Sequence, residues 1–213
     1  MLASIASSVV LVAAALGAAP ASAATISSGH VDVLDIDYEG TTLSLNIRDS
    51  RTSTVADDVS PAATTFAVVP STLTTVPSGS GYGCLGTAGS PVYLLPQSNV
   101  SGVLWPGWNT EGIPSNALQN NNVTLRLDSW TIPSGARFAL YTTSLSGPTF
   151  RLNTNSTTGC PRTTWTLPRN THGHGWWAFT KAGTYTLKFR ATATTSGGVA
   201  KDTGLVTYTF VVG

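Results

Sequence analysis

The sequence predicts a single immunoglobulin-like or jelly-roll-type antiparallel β-sandwich spanning residues 24–213, and three observations carry that prediction. Apolar residues alternate with polar ones in many short runs, as half-buried strands require. Gly-, Pro- and Asn-rich turns separate those runs. After the first twenty-odd residues, no run of useful length has helical period.

Residues 1–23 read as a signal peptide. "SSVVLVAAALGAAPASAA" is an apolar run followed by small residues, with a cut expected after Ala23. The exported chain then opens on "SSGHVDVLDIDY", a first strand, and "YEGT" is a tight hairpin turn into the second. In that second strand, "TLSLNI", Leu43, Leu45 and Ile47 share a face. "TFAVVP" and "PVYLLP" read as shorter, more buried strands. Residues 96–122 are dense in Pro, Gly and Asn and read as a long structured loop, of the kind that more often serves a function. "NVTLRLDSW" aligns Val123, Leu125 and Leu127, and "RFALYT" is another buried strand. "KAGTYTLKFRA" aligns Tyr185, Leu187 and Phe189 behind a Gly-x-Tyr resembling a tyrosine corner. The final strand places Val206, Tyr208, Phe210 and Val212 on one side.

Charge excludes some partners. Charged residues make up 10% of the chain and the net charge is +1, which offers no electrostatic footprint for nucleic acid or an anionic membrane. No second apolar segment follows the signal peptide, so no membrane span is expected in the mature chain. Cys84 and Cys160 are the two cysteines. In an exported chain an even count favours a disulfide between them.

Catalytic motifs are scarce. The chain has no G-x-S-x-G elbow, phosphate-binding glycine loop or zinc-finger spacing, and Glu111 lacks an evident carboxylate partner for glycoside hydrolysis. The expectation is a protein that is not an enzyme. The three histidines are more telling. On a strand, His172 and His174 of "THGHGWW" point to the same face, with Gly173 and Gly175 clearing space for another backbone or a ligand. His30 opens the first strand, with Asp32 on its face. His30, His172 and His174 together would make a three-nitrogen site for Zn or Cu with an open position, which water, Asp32 or Glu111 would fill. A histidine brace needs a histidine at the mature N-terminus, and the expected cut leaves His30 inside the chain. The alternative is a carbohydrate- or cell-wall-binding module that uses exposed aromatics among Trp105, Trp108, Trp176 and Trp177. Strand alternation places one of Trp176 and Trp177 in the core.

Four stretches in this order, "SSGHVDVLDIDYEGTTLSLNIRD", "VYLLPQSNVSGVLWPGWNTEGI", "HGHGWWAFTKAGTYTLKFRATAT" and "VTYTFVV", resemble the actinobacterial surface-anchored domain called the choice-of-anchor M family. The likeness runs from about Ser27 to Val212. It implies an exported, secreted or cell-surface protein associated with a metal-type ABC-transporter system; cell-envelope polysaccharide is the partner of the aromatic alternative. His30 falls on the family's G-H-V-D histidine, and His172 and His174 on its H-x-H pair. Trp176 stands where the family usually has Asn, and no cell-wall anchor motif follows the last strand, so free secretion is the simpler expectation.

Overall fold

The computed structural model describes residues 23–51, 57–155, 157, 159–160 and 163–213; the signal-peptide assignment to residues 1–23 lies almost wholly outside them. Among the described residues the chain is mostly β, with no helix of seven residues or more. Among the described residues no helix is long and apolar enough to cross a membrane.

The strands run in order β1 (Ala24–Ile26), β2 (Gly29–Glu39), β3 (Thr42–Asp49), β4 (Asp57–Val59) and β5 (Thr64–Val68). Next come β6 (Leu73–Thr75), β7 (Pro91–Leu95), β8 (Leu104–Asn109), β9 (Asn122–Thr131), β10 (Phe138–Ser144) and β11 (Gly147–Asn153). The last are β12 (Thr164–Pro168), β13 (His172–His174), β14 (Trp176–Phe179), β15 (Gly183–Thr194), β16 (Ala200–Asp202) and β17 (Val206–Val212). Among the described residues three sheets result. The first is ordered β1-β5-β17-β15-β9-β12, with β16 on β15; the second is β11-β10-β14-β7-β6; the third is β13-β8-β2-β3-β4. Most pairs are antiparallel, as the sandwich reading requires, whereas β1–β5, β5–β17 and β2–β8 are parallel.

The alternating segments bury their apolar sets. Leu43, Leu45, Ile47, Val123, Leu125, Leu127, Tyr185, Leu187 and Phe189 join one core cluster with Tyr208, Phe210 and Val212. Full burial of one such side chain is worth about 1.5–3 kcal/mol, so this cluster dominates the fold's stability. The Gly-x-Tyr segment forms a tyrosine corner: the Tyr185 hydroxyl donates to the Lys181 carbonyl at 2.8 Å. The hairpin turn closes at Gly40 with φ +58°, a conformation glycine adopts without strain. Cys84 and Cys160 form the expected disulfide, beside a second, smaller core that includes Tyr141, Phe150 and Ala178.

Residues 96–122 are not one loop. Leu104–Asn109 inside them is β8, held between β13 and β2 in the third sheet. Proline and glycine argue against a strand when read locally. Here tertiary contact overrides them. A β-carbon on Gly107 would overlap the Asp32 carboxylate and lie 2.9 Å from His174 Cε1, so the strand needs glycine at that point.

The H-x-H segment bends at Gly175. His172–His174 pairs with β8 in the third sheet, while Trp176–Phe179 pairs with β10 and β7 in the second. Gly175 makes the crossing. Its missing β-carbon would sit 2.7 Å from the Tyr141 carbonyl oxygen.

Candidate metal centre

The third sheet places the histidines together through its register. His172 sits opposite Asn109 and His174 opposite Gly107 on β8. On the far side of β8, His30 is opposite Trp105, Asp32 opposite Gly107 and Asp35 opposite Asn109. Side chains in register across neighbouring strands share a face. The row Asp32–Gly107–His174 and the row Asp35–Asn109–His172 therefore project the same way.

A bulge in β2 makes this possible. The register of β2 slips between Asp32 and Asp35, where Val33 and Leu34 are both buried. Without that extra residue, Asp35 and Asp37 would face the core opposite Asp32. With it, His30, Asp32, Asp35 and Asp37 line one polar face, while Val31, Leu34 and Ile36 enter the core.

His30, Asp32, His172 and His174 each offer a ligand atom, and the four atoms lie within 4.8 Å of one another. His30 Nε2 and His172 Nε2 are 3.3 Å apart. Asp32 Oδ1 is 3.0 Å from His172 Nε2 and 3.4 Å from His30 Nε2. Tetrahedral ligation at Zn–N and Zn–O bond lengths separates neighbouring donors by about 3.3 Å, so these spacings fit a shared ion. Despite them, Asp32 Oδ1 makes no well-aligned hydrogen bond and is buried from water. The donors converge on a common point rather than on each other.

Hydrogen bonds on the far side of His174, His30 and Asp32 hold this aim. His174 Nδ1 lies 3.1 Å from the Pro106 carbonyl oxygen, which can only accept. Nδ1 therefore carries the proton, leaving the Nε2 lone pair bare. His30 Nδ1 meets the Ser50 hydroxyl at 2.6 Å, which turns its Nε2 toward Asp32. Asn109 Oδ1 accepts the Glu111 amide at 2.6 Å, so its NH₂ faces the carboxylates, 3.4 Å from Asp32 Oδ2 and 3.4 Å from Glu111 Oε2. Outer partners of this kind fix tautomer and orientation at metal sites.

Burial grades across the site. The Asp32 side chain is 3% exposed, while those of His30 and His172 are 26% and 36% exposed, on the solvent side. Burial lowers the pKa of His174, only partly opposed by its bond to Pro106. Trp105 stacks on the His174 ring at 3.8 Å between centroids and 17° between planes, closing one side.

The expected three-nitrogen site thus acquires a fourth, carboxylate donor in Asp32. Glu111 is not among the converging ligands; it reaches the site only through Asn109. The four tryptophans do not share one exposed face. Trp108 is 6% exposed and points to the core, edge-on to Trp165 at 4.8 Å, and Trp177 is fully buried. Trp105 and Trp108 face opposite sides of β8, because they stand three residues apart on a strand. Trp176 remains half-buried, its indole N–H donating to the Thr143 hydroxyl at 3.1 Å. Gly173 serves Trp108 rather than the ligand: a β-carbon there would lie 2.6 Å from the indole ring. Ser50, Pro106, Gly107 and Asn109 are the supporting residues that sequence reasoning missed. A signal for two of them was present, since Trp105, Gly107 and Asn109 alternate with Leu104, Pro106 and Trp108.

No family model, curated protein or solved structure matches this chain.

Proposed function

We propose that the protein is a secreted or cell-surface binder of a transition metal, Zn²⁺ or Cu²⁺, held by His30, Asp32, His172 and His174. One observation carries the reading: four donors from two strands, β2 and β13, converge with the spacing of a shared ion, and three of them are braced from behind. Imidazole nitrogen with one carboxylate suits these borderline metals, whereas Mg²⁺ and Ca²⁺ prefer oxygen alone. Four protein ligands point to capture or storage rather than catalysis, because a catalytic zinc site keeps one position for water. The half-exposed rims of His30 and His172 give the ion a route in and out. The Cys84–Cys160 disulfide is compatible with an oxidising, extracellular setting. The sequence likeness to the choice-of-anchor M family supports a role beside a metal-type ABC transporter, to which a bound ion would be delivered.

Elemental analysis of untagged protein recovered from its secretion medium tests this, together with calorimetric titration of chelator-treated protein. One equivalent of Zn or Cu, lost in His172→Ala, is the expected result. Metal-free protein that gives no binding heat with either ion would overturn it.

A further inference from the structure

Beyond the bulge, the polar face of β2 carries a second constellation. Asp35 and Asp37 stand two apart on β2, and Asp58 lies on β4; each offers a carboxylate oxygen, and the three oxygens lie within 4.8 Å of one another. Asp35 is 0% exposed. Neither of its oxygens meets a hydrogen-bond donor, and Asp37 Oδ1 is likewise buried without one. Among the described residues no lysine or arginine forms an ion pair with any of the three. Arg48, opposite Asp58 on β3, offsets their charge only at longer range.

The main chain covers this group closely. A β-carbon on Gly112 would overlap the Asp37 carboxylate, so the backbone after β8 lies directly against it. Clustered, desolvated carboxylates without donors need a positive charge among them, either a proton or a cation. Burial first, and then the charge of Asp37, push Asp35 up to about 8. A proton shared between Asp35 and Asp37 is thus the competing occupant.

We propose that Asp35, Asp37 and Asp58 form a second site, for a hard divalent cation, with Ca²⁺ the best match. All the side-chain donors are oxygen, which selects against the borderline metals of the histidine site. Ca²⁺ accepts irregular shells of carboxylate, main-chain carbonyl and water, whereas Mg²⁺ demands near-octahedral geometry. Exposed Asp58 leaves the entrance open while buried Asp35 forms its floor. The two sites would occupy one face of one strand and take chemically different ions.

The test is titration of the full, chelator-treated chain with CaCl₂ alone, and in parallel with MgCl₂, read by calorimetry and thermal melting. Wild type and the His172→Ala/His174→Ala variant should both bind one Ca²⁺, more tightly than Mg²⁺, with a higher melting temperature. Their agreement would separate this site from the histidine site. Asp58→Asn changes an exposed side chain and should still fold, yet it should weaken Ca²⁺ at least roughly tenfold. Asp35→Asn should abolish binding. The proposal fails if wild type shows neither heat nor a melting shift at about 10 mM CaCl₂, above the millimolar affinities of weak extracellular calcium modules. It also fails if Asp58→Asn binds as tightly as wild type. Either result would leave the shared proton as the occupant.

Discussion

The two halves of β2 share a face but assemble their polar groups differently. Before the bulge, His30 and Asp32 wait for His172 and His174, which arrive from a strand about 140 residues later. After it, Asp35 and Asp37 find Asp58 just one hairpin and one neighbouring strand away. The first half is braced by Ser50, Pro106 and Asn109; Asp35, in the second, has no donor at all. A braced site can hold its geometry before an ion arrives. An unbraced carboxylate group is pulled together only by what it binds, proton or cation.

That contrast can be broken most directly by removing a ligand from the braced half. His172→Ala should weaken Zn²⁺ or Cu²⁺ by more than the roughly 100-fold seen when only an outer partner is lost, measured by competition with a chelator. Gly107→Ala should come close to it by another route. Its new methyl group would intrude on Asp32 and His174, and overpacking of this sort costs about 1–3 kcal/mol in melting experiments as well as displacing the ligands. Next in size is Asn109→Ala, which frees Asp32 Oδ2 and should lower transition-metal affinity about tenfold while the chain stays folded.

Acidity should separate the halves by sign. His174 has a lowered folded-state pKa, so the metal-free protein loses stability as pH falls from about 6.5 through that lowered value, and metal binding weakens in the same direction. Asp35 behaves oppositely. Its pKa rises from 3.8 to about 8 on folding, so without a cation the folded state is favoured below about 4 and loses that advantage as pH climbs toward 8. The loss proceeds at up to about 1.4 kcal/mol per pH unit. Thermal melts across this range should show Asp35→Asn flattening the alkaline side and His174→Ala the acidic side. The smallest effect is the sharpest control: Asp37→Asn should leave Zn²⁺ affinity within about twofold, because Asp37 touches none of the four converging ligands. A large loss there would mean that the halves act as one site.

Much of this protein was determined by the sequence alone. Alternation fixed which faces of β3, β9, β15 and β17 are buried, because a strand's period of two leaves one face to the core whatever its neighbours are. Two cysteines in turn-like flanks found each other, and three histidines marked the candidate site. The bulge was also written locally: "HVDVLDID" carries two apolar residues between Asp32 and Asp35 where strict alternation allows one. Tertiary structure decided the rest. Whether "LWPGWN" is loop or strand depends on Asp32 and His174 filling the space beside Gly107, and those residues lie some 70 positions away on either side. Whether Trp108 meets a sugar or the core depends on which side of β8 faces Trp165. Asp32 joined the converging donor atoms, and Glu111 did not, through the cross-strand register of β13, β8 and β2. Local sequence sets the direction in which a side chain points along its own strand, but only strand pairing brings distant side chains within bonding distance of one ion.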